Sequence, residues 1–248
     1  MASQLGTLYG IGVGPGDPDL ITLKAVRLLR RVPVVLLPQS VNRPSVALSI
    51  VRQWLRPGRQ RLLLQSYPMM GSEDDLEQAR AEAARVAVSC LTSGTDLAWV
   101  TEGDPLLYST FIDLLARTRD QLSDLKVEVI PAVSSITACA AVSAMPLARG
   151  SERIAVLPAT DSLHDLEDVI ERFDTVILLK VRNVLDSLVE RLDRIGFTGA
   201  TVLVEECGRP NQHVTQELRS RLGQPLSYFS MVMLCRKRVV DGMRCEIL

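Results

Sequence analysis

The chain has 248 residues, 47% of them apolar, with 28 Lys and Arg against 29 Asp and Glu and a net charge of −1. That is enough length and apolar content for one or two α/β domains with sizeable cores. Charge this evenly balanced, with no long basic or acidic block, argues against a nucleic-acid or membrane-surface partner.

The stretch Thr7–Arg31 organises the rest. A short apolar strand runs into Gly14-Pro15-Gly16-Asp17-Pro18, and a helix follows, with Asp17 as its N-cap and Pro18 at its first position. Leu20, Leu23, Val26 and Leu28 are expected to form its buried stripe. The glycine turn then stands at the carboxyl end of a strand, where open α/β sheets place ligands. It is neither a G-x-G-x-x-G dinucleotide fingerprint nor a G-x-x-x-x-G-K-[ST] phosphate loop. Asp17 also stands where a phosphate would sit, so a neutral or cationic ligand suits the loop better; a plain tight turn is the alternative.

Val32–Pro38 reads as a second buried strand, Ser45–Leu55 as a helix and Arg61–Gln65 as a third strand. Ser72–Ser93 is a long helix, capped by Ser72, acidic in its first turn and closed by Gly94. Leu97–Val100 is a strand whose exit is Thr101-Glu102-Gly103-Asp104-Pro105, followed by a helix from Phe111. Val127–Ile130 is the next strand, and Pro131–Ser135 leads from it into the helix Ile136–Ala144. Alternating strands and helices predict a parallel sheet with all three exit loops on one edge. A boundary is expected near Pro146 and Arg149-Gly150-Ser151, dividing the chain into domains 1–147 and 148–248. The second half carries strands at Ile154–Leu157, Thr175–Leu179, Ala200–Glu205 and Tyr228–Cys235, with helices at Asp165–Phe173 and Asn183–Ile195, and a more mixed sheet.

Five scattered cysteines (Cys90, Cys139, Cys207, Cys235, Cys245) and two histidines offer no metal-ligand spacing, so reduced thiols in a cytoplasm are expected and no metal site. The first residues lack the character of a signal peptide, and prolines and hydroxyls interrupt Ile130–Ala148, the nearest approach to a membrane span. The expectation is a cytoplasmic protein off the membrane.

Four segments in combination resemble the tetrapyrrole (corrin and porphyrin) methyltransferase family: Tyr9–Pro18, Gly103-Asp104-Pro105-Leu106-Leu107-Tyr108-Ser109-Thr110, Ile130–Ser135 and Tyr228-Phe229-Ser230. Within it, Asp17–Ala25, Tyr108–Phe111, the double serine and Leu178–Val181 are similar to the precorrin-2 C(20)-methyltransferases of cobalamin biosynthesis. The resemblance implies a homodimer of two-domain α/β chains, each with a cofactor cleft between an N-terminal parallel-sheet domain and a C-terminal mixed-sheet domain. S-adenosylmethionine would be the methyl donor and S-adenosylhomocysteine the product. The substrate would be precorrin-2 or its cobalt form, cobalt-factor II, with methylation at carbon 20. By position the cofactor contacts fall on Pro15, Glu102, Gly103, Asp104, Leu107, Tyr108, Ser134, Ser135, Lys180, Cys207 and Tyr228. One departure stands out: Ala132 occupies a position where the family usually has glycine, which would be strained if φ there were positive.

A donor carrying a sulfonium and an ammonium suits an edge bearing Asp17, Glu102 and Asp104. Asp104 is the candidate base for the carbon-20 proton; equally it could orient the cofactor or cap the following helix. Lys180 is a cofactor or substrate-carboxylate contact or a plain strand end, and His213 reads as a solvated residue. Arg149, Arg153, Arg182 and Arg209 are candidates for the acetates and propionates of the substrate. The alternatives are methylation at another tetrapyrrole carbon, a dinucleotide-dependent oxidoreductase, which lacks its fingerprint here, and a non-catalytic binding domain.

Overall fold

Gly10 shows how closely the sequence is fitted to its sheet: a Cβ there would lie 2.3 Å from the Phe111 ring, which fills the space a side chain would take. The computed structural model describes residues 4–40, 44–68, 72–159 and 163–236. By contacts it divides into two units, 1–134 and 135–248. The boundary expected from the sequence is 147/148. The helix Ser135–Val142 is instead grouped with the second unit, where Cys139 hydrogen-bonds to Cys207.

The first unit holds β1 (Thr7–Gly12), α1 (Leu23–Leu29), β2 (Val34–Ser40), α2 (Val46–Val51), β3 (Arg61–Tyr67), α3 (Glu73–Thr92), β4 (Leu97–Thr101), α4 (Phe111–Gln121) and β5 (Lys126–Ile130). Its five strands are all parallel, in the order β3-β2-β4-β1-β5. Both faces are covered. Ala25 and Leu29 of α1 and Ala47 and Ile50 of α2 pack on Ile11, Val35 and Val100. On the other face Ala83 and Ala87 of α3 and Phe111 and Leu114 of α4 pack on Leu8, Leu36 and Trp99. Strands buried on both sides read as near-continuous apolar runs, which is why β2 and β4 are legible in the sequence. The Ser72 cap of α3 forms as a full capping box with Asp75.

The start of α1 differs from the sequence reading. Asp17 and Pro18 open only a 3-10 turn, Pro18–Leu20, in which the Asp17 carboxylate accepts the Asp19 N–H. Ile21 and Thr22 are extended, and α1 starts afresh with Thr22 capping Ala25. The buried stripe is therefore Ala25, Val26 and Leu29, and Leu23, read as core, is 72% exposed.

The second unit holds α5 (Ser135–Val142), β6 (Ile154–Pro158), α6 (Leu166–Arg172), β7 (Thr175–Leu179), α7 (Leu185–Arg194), β8 (Ala200–Glu205), β9 (His213–Thr215) and β10 (Ser230–Cys235). The order is β6-β7-β10-β8-β9: β6 and β7 are parallel, while β10 runs antiparallel to β7 and β8, and β9 to β8. The sheet is mixed, as expected, and its core is built with Leu166, Leu188 and Leu192 against Val176, Leu203 and Val232. The short strand β9 is not among the elements the sequence predicts. Its three residues hold only half-buried and exposed side chains, so no alternation could show it.

Among the described residues no helix is long and apolar enough to cross a membrane. No cluster of His, Cys, Asp or Glu there could hold a metal ion.

Candidate active site

In the first unit the site starts where the sheet changes direction. After β1 the chain heads for β2 across the face carrying α1; after β4 it heads for β5 across the face carrying α4. The exit loops of these neighbouring strands therefore diverge, the geometry at which open α/β sheets bind ligands. Two backbone bonds hold the loops at their roots: Val13 N–H donates to the Thr101 carbonyl at 3.1 Å and Gly103 N–H to the Gly14 carbonyl at 2.8 Å. Gly14 and Gly103 sit at φ +87° and +63°, a conformation L side chains resist. A Cβ at Gly103 would meet no atom within 4 Å, so its α-carbon borders open space.

Gly12 is where three exit loops meet. A Cβ there would lie 2.6 Å from the Gly103 carbonyl oxygen and 2.8 Å from both Pro105 Cδ and Ala132 Cβ. Ala132 is not among the described residues with positive φ, so its methyl group is unstrained and packs over the Gly12 α-carbon. Asp104 ties the second loop to the third: Oδ1 accepts Leu106 N–H at 2.9 Å and Oδ2 accepts Ala132 N–H at 3.1 Å. Pro15 is buried, Glu102, Gly103, Asp104 and Ser134 are half-buried, and Leu107 and Tyr108 are exposed at the loop crest. The Ser109 hydroxyl, bonded to Thr101 Oγ1 and to Phe111 N–H, then turns the chain into α4.

In the second unit Lys180, Cys207 and Tyr228 share one sheet edge. Lys180 follows β7 and Cys207 follows β8, while Tyr228 precedes the antiparallel β10; Ser135 is the first residue of α5. Lys180 has φ +61° and donates its N–H to the Ser230 carbonyl at 3.0 Å. Cys207 and Cys139 are buried and hydrogen-bonded to each other. That bond, with burial, pushes the Cys139 thiol far up. The same bond, helped by the Arg209 guanidinium, holds Cys207 below the ordinary thiol range despite the opposing effect of burial.

Four non-glycine residues among those described have positive φ: Tyr108, Ala144, Lys180 and Glu206. Three stand in these strand-end loops, and strain of this kind persists where surrounding structure enforces it, often at functional sites.

Three of the four arginines considered for substrate are placed or engaged otherwise. Arg153 stands at the start of β6, the sheet edge opposite Lys180, with its guanidinium over the Phe173 ring. Arg209 pairs with Glu206 at 2.8 Å. Arg149 sits in a surface turn whose N–H is held by Glu152. Arg182 is exposed in the turn after Lys180. His213 is half-exposed, with Nδ1 3.8 Å from Glu205. Glu205, Glu206 and Ser227 went unread, although two carboxylates closing the apolar run Val202–Val204 imply that one of them is carried into the sheet interior.

The sequence model of the tetrapyrrole (corrin/porphyrin) methylases matches residues 7–223. The chain belongs to this family. The chain is 31% identical over 240 residues to the cobalamin biosynthesis protein CobIJ of Mycobacterium bovis, a match covering 94% of the chain and 46% of that protein, so it spans about half the length of that relative. It is 30% identical over 232 residues to the cobalt-precorrin-2 C(20)-methyltransferase of Salmonella typhimurium, covering 92% of the chain and 96% of that enzyme. The methylase fold recurs in the Thermus thermophilus uroporphyrin-III C-methyltransferase complexed with S-adenosylhomocysteine, with a TM-score of 0.66, 21% identity, and coverage of 93% of this chain and 92% of that one.

Proposed function

We propose that this methylase transfers a methyl group from S-adenosylmethionine to carbon 20 of precorrin-2 or of its cobalt-bound form in cobalamin biosynthesis. The observation that carries the reading is the end-to-end match to a cobalt-precorrin-2 C(20)-methyltransferase, 92% of one chain against 96% of the other. The residues fit such a donor. The Gly103 α-carbon opens on space, carboxylates of Asp17, Glu102 and Asp104 belong to the neighbouring loops, and the buried Ser230 hydroxyl has no partner among the described residues.

When bound, the donor supplies an electrophilic methyl group on a cationic sulfur. The residues proposed to hold it are Pro15, Glu102, Gly103, Asp104, Leu107, Tyr108 and Ser134 on the first unit and Ser135, Lys180, Cys207 and Tyr228 on the second. Negative charge at the loop roots complements the donor's sulfonium and ammonium. The tetrapyrrole carbon is itself the nucleophile: its electron pair would form the new bond to the methyl as the bond to sulfur breaks, S-adenosylhomocysteine would leave, and the carbon-20 proton would pass to solvent. The main task of these residues is therefore alignment, which can supply roughly 7–11 kcal/mol of a barrier. Asp104 serves alignment better than proton removal. Both of its oxygens already accept backbone N–H groups, and protonating it would weaken both. Arg182, at the same edge as Lys180, is the arginine best placed for a substrate acetate or propionate.

A cytoplasmic homodimer is part of the proposal, and light scattering in solution tests the dimer. The donor assignment is tested by calorimetry. S-adenosylhomocysteine is expected to bind with micromolar or tighter affinity and NADPH not at all; the reverse preference would overturn it.

A further inference from the structure

Two consecutive glutamates at the end of β8 hold the turn Ser227-Tyr228-Phe229 from both sides. Glu205, 5% exposed, accepts the Ser227 N–H at 3.0 Å and is neutralised by Arg221 at 3.0 Å. Glu206 grips the same turn through two of its own groups, carboxylate and N–H. Its carboxylate accepts the Ser227 hydroxyl, that hydroxyl accepts the Phe229 N–H at 3.1 Å, and the Glu206 N–H donates to the Phe229 carbonyl at 2.9 Å. Its other oxygen holds Arg209 at 2.8 Å, and the Arg209 guanidinium lies 3.6 Å from the centre of the Phe229 ring. The Phe229 ring in turn meets the Tyr228 ring edge-on at 5.3 Å. Both neighbours of Tyr228 are thus fixed through backbone and side chain, and no hydrogen bond among those of Glu205 and Glu206 reaches Tyr228 itself.

Glu206 also occupies the left-handed region at φ +50°, which a straight-chain residue adopts only when its surroundings require it. A glycine or asparagine would satisfy the backbone there without strain. What the strained glutamate adds is a carboxylate turned back toward residues 227 and 209.

We infer that Glu206, with Arg209 as its counter-ion, is a positioning residue that fixes Tyr228 in the orientation that receives the methyl donor. This rests on the proposed contact between Tyr228 and the donor.

The test is a double-mutant cycle on the full chain: wild type, Glu206→Gln, Tyr228→Ala and the double variant. Each is read by S-adenosylhomocysteine affinity, by thermal melting without ligand, and by hydrogen exchange of the Ser227 and Phe229 amides in the free protein. Glu206→Gln is expected to weaken binding about tenfold and to speed exchange at the Phe229 amide, whose acceptor hydroxyl Glu206 anchors. Tyr228→Ala is expected to weaken binding at least as much, and the double variant to bind no worse than Tyr228→Ala alone. A merely structural glutamate would lower the melting temperature in both backgrounds and leave affinity unchanged or additive, and either affinity result overturns the inference. Wild-type affinity in Tyr228→Ala would instead remove Tyr228 from the donor site, and the inference with it. Failure of the wild type to bind would sink the donor assignment itself. Arg209→Lys, which keeps the charge but loses the planar stack on Phe229, supplies the same readout if Glu206→Gln does not fold; unchanged affinity and exchange there would also overturn the inference.

Discussion

The Asp104 carboxylate accepts the Ala132 N–H at 3.1 Å, joining the exit loop of β4 to that of β5 across the end of β1. Its other oxygen accepts the Leu106 N–H within its own loop, so one side chain sets the spacing of two loops that the family resemblance assigns to the donor.

Replacing that carboxylate separates a structural from a chemical role. Asp104→Asn keeps the size but turns an amide N–H₂ toward one of the two backbone donors, at a cost of roughly 1–3 kcal/mol. Urea melts are expected to show that loss, and donor affinity and turnover to fall together, most severely in Asp104→Ala. Lost turnover with unchanged stability and affinity would mark Asp104 as a base instead.

Gly12→Ala tests the meeting of the three loops. The added methyl would stand 2.6 Å from the Gly103 carbonyl oxygen, where only backbone can give way. The expected result is destabilisation of about 1–3 kcal/mol together with weaker S-adenosylhomocysteine binding. Unchanged melting and affinity would mean that the loops do not pack this closely.

Tyr67 links the core of the first unit to pH. Its hydroxyl is buried with no partner among the described residues, and burial, with the nearby Asp113 carboxylate, pushes its pKa up to about 12. A pKa raised on folding gives stability that is complete below the ordinary tyrosine value near 10 and is lost as pH rises through 12. Tyr67→Phe should therefore melt within about 1 kcal/mol of wild type at pH 8, since no hydrogen bond is lost, and should lose less stability between pH 10 and 12. Parallel pH profiles for the two proteins would contradict this.

The Cys139–Cys207 pair carries a chemical signature. The thiolate forms first on Cys207, where the Cys139 S–H and the Arg209 guanidinium stabilise it. Iodoacetamide labelling mapped by mass spectrometry should modify Cys207 before Cys139, and Arg209→Gln should slow it. Cys139 reacting first would reverse the assignment.

The first unit's parallel sheet is legible because strands buried on both faces leave unbroken apolar runs, and in the mixed sheet of the second unit Thr175–Leu179 and Ala200–Glu205 also emerge with the expected ends. Local turn chemistry was less decisive. Asp17-Pro18 reads as a helix start, yet extended backbone at Ile21 and Thr22 stops that turn and lets Thr22 cap the true helix. The parallel-sheet pattern does place Gly14, Gly103 and Ala132 together at one edge. It does not reveal that Asp104 spends both oxygens on backbone, because that depends on the separation of loops 28 residues apart. Arg153 immediately precedes Ile154, and the parallel pairing of β6 with β7 puts it at the sheet edge opposite Lys180. Glu206 was missed because its role depends on a left-handed backbone, which glycine or asparagine adopts more readily and which a glutamate in the sequence does not signal.

The most direct test of the central claim is NMR of the tetrapyrrole produced from precorrin-2 and a donor labelled at its methyl carbon. One new labelled methyl on carbon 20 is the predicted result; label on any other ring carbon, or none incorporated, would contradict it.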